Sequence, residues 1–512
     1  MVLEVLYNLK MENNKTTREA EALAEGISLS VFHRRWLILG FLCLSLLVVM
    51  LANSVLTLAL PTIGQDLQST TVELNWIIAA YPLVFTGLLF ASGALGDKYG
   101  RKKTLQAGLT IFSVACLYAA FIADTSFELI LVRIVMGIGG AMSMPATLSI
   151  LNTTFPISQR PLAITIWSAV SGVGVLLGTL LSGIMLSKFS WSSIFLLCLA
   201  IAVIALLGNS LFAPESKNAS YANFDVIGAV LSFTCLSSFT YAILQLANPT
   251  LPSLLISLLF AITVVTGSGF VYWEKKSRNP ILNIRLFKNK TFTIAVIVIT
   301  LAFFAVNGIL FMMSQLFQDI LGYSPLEAAL RTFPILIPVL VVAIAVPKII
   351  AMIGEVKVLA IGTVALSIGF FLGALWSDDR SYLLIWISAV IIIGGVVISS
   401  IPATNLILSS VKKKDSGMAS AVNDATRELG STLGIAILGS IVAFRYSSLA
   451  EINGYQEYSQ KAISTVNNLA GPAAGDLQMF WLEGLQTAML FSGCASLLAS
   501  AFVLINLRQK NT

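Results

Sequence analysis

From Trp36 to Leu60 the chain runs for 25 residues without a charged side chain. A helix rises about 1.5 Å per residue, so about 20 apolar residues cross the hydrocarbon core of a bilayer. Runs of the same kind recur at Ala107–Ala123, Pro161–Ser187, Ile194–Ala213, Val226–Ala247, Leu251–Trp273, Thr291–Gln318, Thr332–Val346, Val358–Ser377, Ser381–Val411 and Gly484–Leu507. Less pure segments at 75–96, 127–151 and 417–444 bring the expectation to about fourteen membrane helices. Charged residues make up 11% of the chain, against about 25% in a soluble domain. The fold class is therefore an all-α polytopic membrane protein.

Lys and Arg cluster on alternate loops. One set holds Lys98 with Arg101–Lys103, Arg160, Lys217, the stretch Lys275–Lys290, Lys348, Lys357, Lys412–Lys414, Arg508 and Lys510. The other set offers Lys188, Arg380, Arg445 and Lys461, with Arg331 near an edge. Positive loops stay in the cytoplasm, so both termini are expected inside a cell membrane. The net charge of +6 is then a topology signal, and no nucleic-acid partner is expected. The partition that follows is a cytoplasmic tail at 1–33, a six-helix bundle at 34–213, and a linker with two inserted helices at 214–290. A second six-helix bundle at 291–507 carries a long exterior loop at 445–483, and a short tail at 508–512 ends the chain. The first 30 residues lack the apolar core of a cleavable signal, read as a mobile tail, and include a second possible start at Met11. Two equal halves are a common transporter plan, with the substrate site between them near the midplane.

Cys43, Cys116, Cys198, Cys235 and Cys494 all sit in apolar runs, far apart and without metal-ligand or redox spacing. His33, the single histidine, stands beside Arg34 and Arg35 before the first span. No metal, cofactor or enzymatic constellation is expected. A small-molecule substrate and the lipid bilayer are the expected partners, and the chain is expected to be monomeric.

Charges inside the spans carry the chemistry. GALGDKYGRKKTL, Gly93 to Leu105, places Gly93, Asp97, Gly100 and Arg101 at the inner end of the second span. Gly93 and Gly96 permit close helix contact, Gly100 a tight turn, and Asp97 offers a carboxylate. Arg133 lies about 9 Å below the outer end of the fourth span. Intramembrane ionisable groups usually face a polar interior, whereas an arginine this near an edge can also snorkel to the interface. Asn53 and Thr57, four apart on the first span, form a polar face at similar depth that can hydrogen-bond it. In SAVNDATRELG, a helix starting near Ser416 carries Asp424 about 12 Å and Glu428 about 18 Å along its length. Two acids beside Arg427 can hold a transferable proton, since desolvation raises a carboxyl pKa and a nearby cation lowers it. The alternative is a neutralised Asp424–Arg427 pair with Glu428 turned toward loop or headgroup. Asn307, Gln315 and Gln318, with Ser314, form a polar stripe on the ninth span that suits either a substrate path or helix packing.

GALGDKYGRKKTL resembles the loop signature of the major facilitator superfamily. LALPTIGQDL (58–67), LVRIVMGIGGAMSMP (131–145), IWSAVSGVGVLLGTLLSG (166–183), QLFQDILGYSPLEAAL (315–330) and SGMASAVNDATRELGSTLGIAILGSI (416–441) resemble its fourteen-helix drug:proton antiporter branch, nearest the quaternary-ammonium and multidrug efflux pumps. The resemblance implies two six-helix bundles plus two inserted helices, alternating access, and proton-driven efflux of amphipathic compounds, without a bound cofactor. It assigns Arg133 to the substrate or proton site and Asp97 with Arg101 to a cytoplasmic gate that docks near the start of the thirteenth span. Where such pumps keep membrane acids, this chain has Ala52, Ala79 and Val339; Met136 replaces a glutamine, and the fifth span reads Gly178-Thr179 and Ser182-Gly183. Asp424 and Glu428 are left as the carboxylates for proton exchange, with Arg427 beside them. The same fold with those losses also fits a metabolite exporter or an uncoupled facilitator.

Overall fold

The computed structural model describes residues 18–186, 188–218, 224–245, 253–376, 382–458 and 472–507. A short helix, α1 (18–24), leads into α2 (Leu29–Asp66), α3 (Thr71–Tyr99), α4 (Arg101–Phe121), α5 (Ser126–Thr154), α6 (Arg160–Leu186) and α7 (Ser193–Phe212). Then come α8 (Val226–Gln245), α9 (Ser253–Lys276), α10 (Lys290–Gln315), α11 (Pro325–Thr332), α12 (Leu336–Ile353), α13 (Glu355–Gly373), α14 (Tyr382–Ser409), α15 (Ser416–Ile452) and α16 (Pro472–Leu507). Thirteen helices among the described residues are long and apolar enough to cross a membrane. The 27-residue α6 is a further long helix, which makes fourteen. The chain is an all-helical, multi-pass membrane protein. In lipid a helix is the natural solution, because it satisfies every backbone polar group within its own segment.

The ends are set by local chemistry. Thr70 with Glu73, Thr125 with Glu128 and Ser324 with Glu327 form capping boxes that open α3, α5 and α11. Gly100 turns α3 into α4 at φ +118°, a conformation that a side chain would strain, and a Cβ there would also meet the Glu215 carboxylate at 2.7 Å.

Helices α2 to α7 pack mainly on one another, and α10 to α16 form a second group with its own core. α8 rests on α3, while α9 touches α8 and the turn at Ile284–Lys288, so only 6% of its most apolar window is buried. Between the two groups, α15 meets α3 and α5, and α6 meets α11, α12 and α14.

Apolar lipid gives no hydrophobic drive for helices to associate, so close backbone contact at small residues takes its place. Gly362 on α13 and Gly395 on α14 face each other, and a Cβ on either would lie 2.9 Å or less from the partner helix backbone. On α15, Gly434 is so close to α10 that a Cβ would stand 2.2 Å from the Phe304 carbonyl oxygen. Gly434→Ala is expected to lower stability by about 1–3 kcal/mol through overpacking. Gly394→Ala, which meets nothing within 4 Å, is expected to leave stability unchanged or slightly raised. Thermal unfolding in detergent checks both; equal midpoints for the two variants would refute the close α10–α15 contact.

Two expected boundaries differ. The segment 18–33 is helical and packed rather than a free tail: α2 already begins at Leu29, and His33 bonds Glu19 at 2.9 Å. The 445–483 loop is also shorter than expected. α15 runs on to Ile452 and α16 starts at Pro472, a residue suited to a first helical turn because it needs no N–H partner.

Candidate functional site

Helix α15 is the element on which the site is built. Its first turn leaves backbone N–H groups unpaired, a natural seat for a carboxylate. Asp97, at the end of α3, occupies it: Oδ1 accepts from Gly417 N at 3.0 Å and Oδ2 from Met418 N at 3.0 Å. Arg101 donates to Asp97 Oδ1 at 2.7 Å and reaches across to the carbonyls of Lys413 and Lys414 at 3.1 and 2.8 Å. Both side chains are 2% exposed, so this is a desolvated, fully hydrogen-bonded ion pair rather than a surface one. Gly93 lets α3 approach, since a Cβ there would sit 2.7 Å from the Gly417 carbonyl. These contacts join the two helix groups at the end of the molecule where Lys and Arg concentrate, called here the basic face.

Farther along α15, Asp424 and Arg427 are completely buried and Glu428 is half-buried. No direct Asp424–Arg427 salt bridge forms among the described residues, so the alternative of a directly neutralised pair is not what the structure has. A relay links them instead. Arg427 Nη2 donates to Thr404 Oγ1 at 3.3 Å, Thr404 to Asn423 Oδ1 at 2.9 Å, and Asn423 Nδ2 to Asp424 Oδ1 at 3.0 Å. Arg427 Nη2 also donates to Ser168 on α6 at 3.2 Å, and its guanidinium lies 4.7 Å from the ring centres of both Trp167 and Phe303. Arg427 therefore touches α6 from one group and α10 and α14 from the other. Its Nε and Nη1, and Asp424 Oδ2, have no hydrogen-bond partner among the described residues. Such groups are costly to bury unpaired.

Arg133 is not an edge arginine. It is buried, donates to the carbonyls of Ala52 at 2.8 Å and Ile77 at 3.0 Å, and stacks on Tyr81 with 4.4 Å to the ring centre. Snorkelling to the interface is thereby corrected, because the guanidinium is tied to backbone inside the first group. Asn53 and Thr57 stand on α2, but their side chains lie outside the described residues. The polar stripe of the ninth span, now α10, divides. Asn307 donates to Ser431 on α15 at 2.7 Å, Gln318 donates to Ser314 at 2.8 Å, and Gln315 is half-buried.

The profile described as Major Facilitator Superfamily matches residues 42–435, well over half of the chain. The chain belongs to the major facilitator superfamily. Among its relatives, the multidrug efflux pump LfrA of Mycolicibacterium smegmatis is 34% identical, over 82% of this chain and 83% of that protein. The methyl viologen resistance protein SmvA of Salmonella typhimurium is 29% identical, over 81% of this chain and 84% of that one. Two solved structures share the fold at low identity. The human organic anion transporter MFSD10 (TETRAN) is 14% identical with a TM-score of 0.61, covering 91% of this chain and 99% of that one. The proton:xylose symporter XylE is 15% identical with a TM-score of 0.61, covering 92% of this chain and 95% of that one.

As a superfamily member, the chain has buried apolar residues at Ala52, Ala79 and Val339, where drug:proton antiporters are expected to carry acids. The Ala52 position takes part through its backbone carbonyl, which accepts from Arg133. Motif reading missed Trp167, Ser168, Phe303 and Thr404. IWS at 166–168 was a visible signal only as part of a longer motif, and Phe303 is one of 29 phenylalanines.

Proposed function

We propose that this transporter exports drugs and related amphipathic compounds across a cytoplasmic membrane by alternating access, driven by protons. The two groups would rock about a central site, with the basic face and both termini in the cytoplasm and a single chain sufficient for transport. The observation that carries this reading is the place of Arg427 on α15, in contact with α6, α10 and α14, with Asp424 relayed to it and Glu428 one turn on. Charge buried at a boundary between moving bundles is expensive and usually functional. Asp424 and Glu428 would exchange the proton, and Arg427 would sense which of them carries it. Arg133, Asn53 and Thr57 would shape the opposite wall of the path, with Asn307 and Gln315. Gly93, Asp97, Gly100 and Arg101 would form the cytoplasmic gate. The efflux and resistance names of relatives support drug export.

The test is a proteoliposome assay with a pH-sensitive dye inside, challenged with methyl viologen, an aromatic monocation, a neutral apolar compound and an organic anion. Internal pH change with the cations supports coupled drug export. Transport without any proton signal would replace it by the facilitator reading, to which the losses at Ala52, Ala79 and Val339 give a specific basis.

A further inference from the structure

We infer that the segment from α1 to Ile27 is a strap across the basic face, with Glu25 tying the first helix group to the second and holding that face shut. Helix α1 ends in a Schellman turn: Ile27 N bonds Ala22 O at 2.9 Å, Gly26 N bonds Leu23 O at 2.9 Å, and Gly26 adopts φ +77°. Ala22, Ile27 and Phe32 bury together and anchor the turn on the start of α2. This geometry fixes where Glu25 points. Its Oε1 accepts from Ile157 N at 2.8 Å, and its Oε2 takes Arg160 Nη2 at 2.8 Å, both on the connection from α5 to α6. The same Oε2 meets Lys413 Nζ at 3.0 Å, and that ammonium also donates to the Glu25 carbonyl at 3.0 Å. Lys413 belongs to the turn that starts α15, in the other group. Glu21 fastens the strap to the first group alone, accepting from Ser158 N at 3.1 Å and Ser158 Oγ at 2.7 Å.

Several features separate this from an incidental surface contact. The Glu25 side chain is 14% exposed and Arg160 is 9% exposed, so that pair is largely shielded from solvent, while Lys413, which crosses to the other group, is 37% exposed and reaches in to the shielded carboxylate. Lys413 is a shared node, since its carbonyl accepts from Arg101 of the Asp97 pair while its ammonium holds Glu25. Burial pushes the Glu25 carboxyl up, but the Ile157 amide, Lys413 and Arg160 outweigh it and hold the group below the ordinary carboxylate value. A depressed carboxyl keeps its contribution at all pH above its unfolded pKa and loses it only as pH falls through the folded one. At neutral pH the strap is therefore charged and engaged.

The inference rests on the two groups moving apart at the basic face. The test places spin labels at Lys103→Cys on α4 and Lys357→Cys on α13, with Cys235 and Cys494 changed to Ala, and reads their distance by pulsed electron resonance. Glu25→Ala is expected to raise the ratio of long to short distances about threefold to tenfold, a coupling of the usual allosteric size. Lys413→Ala removes the same ion pair and also the bond to the Glu25 carbonyl, so it should open the face at least as far, and the double variant no more than Lys413→Ala alone. Gly26→Val, which cannot hold the turn without strain, should open the face as well. Asp97→Ala is the control. A shift with Asp97→Ala but none with Glu25→Ala, or multiplying effects of the Glu25 and Lys413 changes, overturns the strap alone. Short distances throughout, Asp97→Ala included, overturn alternating access and the strap together.

Discussion

Glu428→Gln is expected to lower pH-gradient-driven transport in proteoliposomes by about 100-fold or more, about 2.7 kcal/mol at 1.36 kcal/mol per decade. The change keeps size and hydrogen-bonding reach and removes only the ability to hold and release a proton. Glu428 is half-buried, so thermal stability should move by no more than a few degrees. Asp424→Asn removes the other acid. Asp424 Oδ1 is held by Asn423 and Oδ2 has no hydrogen-bond partner among the described residues, so a neutral amide fits the same space without a buried charge. Its transport should fall by at least about 10-fold, with some loss of stability, because removing one of two buried opposite charges leaves Arg427 uncompensated. Counterflow of substrate without a pH gradient should survive in both. If both variants still acidify or alkalinise the lumen during transport at the native rate, proton exchange lies elsewhere and the central carboxylates are structural.

Arg427→Met, combined with Asp424→Asn, should separate function from stability. Arg427 joins α6 to α14 through a single nitrogen and stacks on Phe303 of α10, while its other two nitrogens have no hydrogen-bond partner among the described residues. Methionine has a similar length and lies well between aromatic faces such as Trp167 and Phe303. Replacing a whole buried ion pair by apolar side chains of similar volume is often neutral or stabilising by about 1–4 kcal/mol, whereas removing one charge leaves the other uncompensated and costs about 3–5 kcal/mol. Arg427→Met alone is therefore expected to lose some stability together with a loss of transport of about 100-fold or more, and the Arg427→Met/Asp424→Asn double variant to recover the stability but not the transport. Arg427→Lys keeps the charge but not the planar fork or the stacking, so an intermediate loss is expected. A fall of more than about 5 °C for Arg427→Met with near-native transport would mean that the arginine is a structural bracket, since a shift of that size corresponds to about 5 kcal/mol in a chain this long.

The same residues show where sequence reading succeeds. Asp424, Arg427 and Glu428 stood out because charge is rare in long apolar runs, and a 3.6-residue repeat puts positions four apart on one face. Their mutual geometry did not follow. Spacing suggested an Asp424–Arg427 pair, whereas the arginine side chain reaches away to Thr404 and Ser168, and its link to Asp424 passes through Asn423. Arg133 was singled out by the same rule, and its partners were invisible for a different reason. They are backbone carbonyls of Ala52 and Ile77, and any residue type supplies a carbonyl. The strap residue Glu25 lay in a polar stretch with no periodicity, and its partners at 157, 160 and 413 are up to 388 positions away.

Hydrophobicity and length alone determined that this chain is a multi-pass helical protein, because lipid leaves the backbone no other partner than itself. The resemblance of Gly93–Leu105 and the other quoted stretches pointed to its superfamily, which the profile match over residues 42–435 shows. What only the tertiary structure decided is which charges meet. Helix faces are set by local periodicity, but the neighbours of a face are set by how the two groups close on each other. That closure puts Asp97 on the first turn of α15, stacks Arg427 between Trp167 and Phe303, and brings Glu25 to Lys413. Each of these contacts joins parts of the chain that no local rule connects, and each is where a buried charge finds the partners it needs.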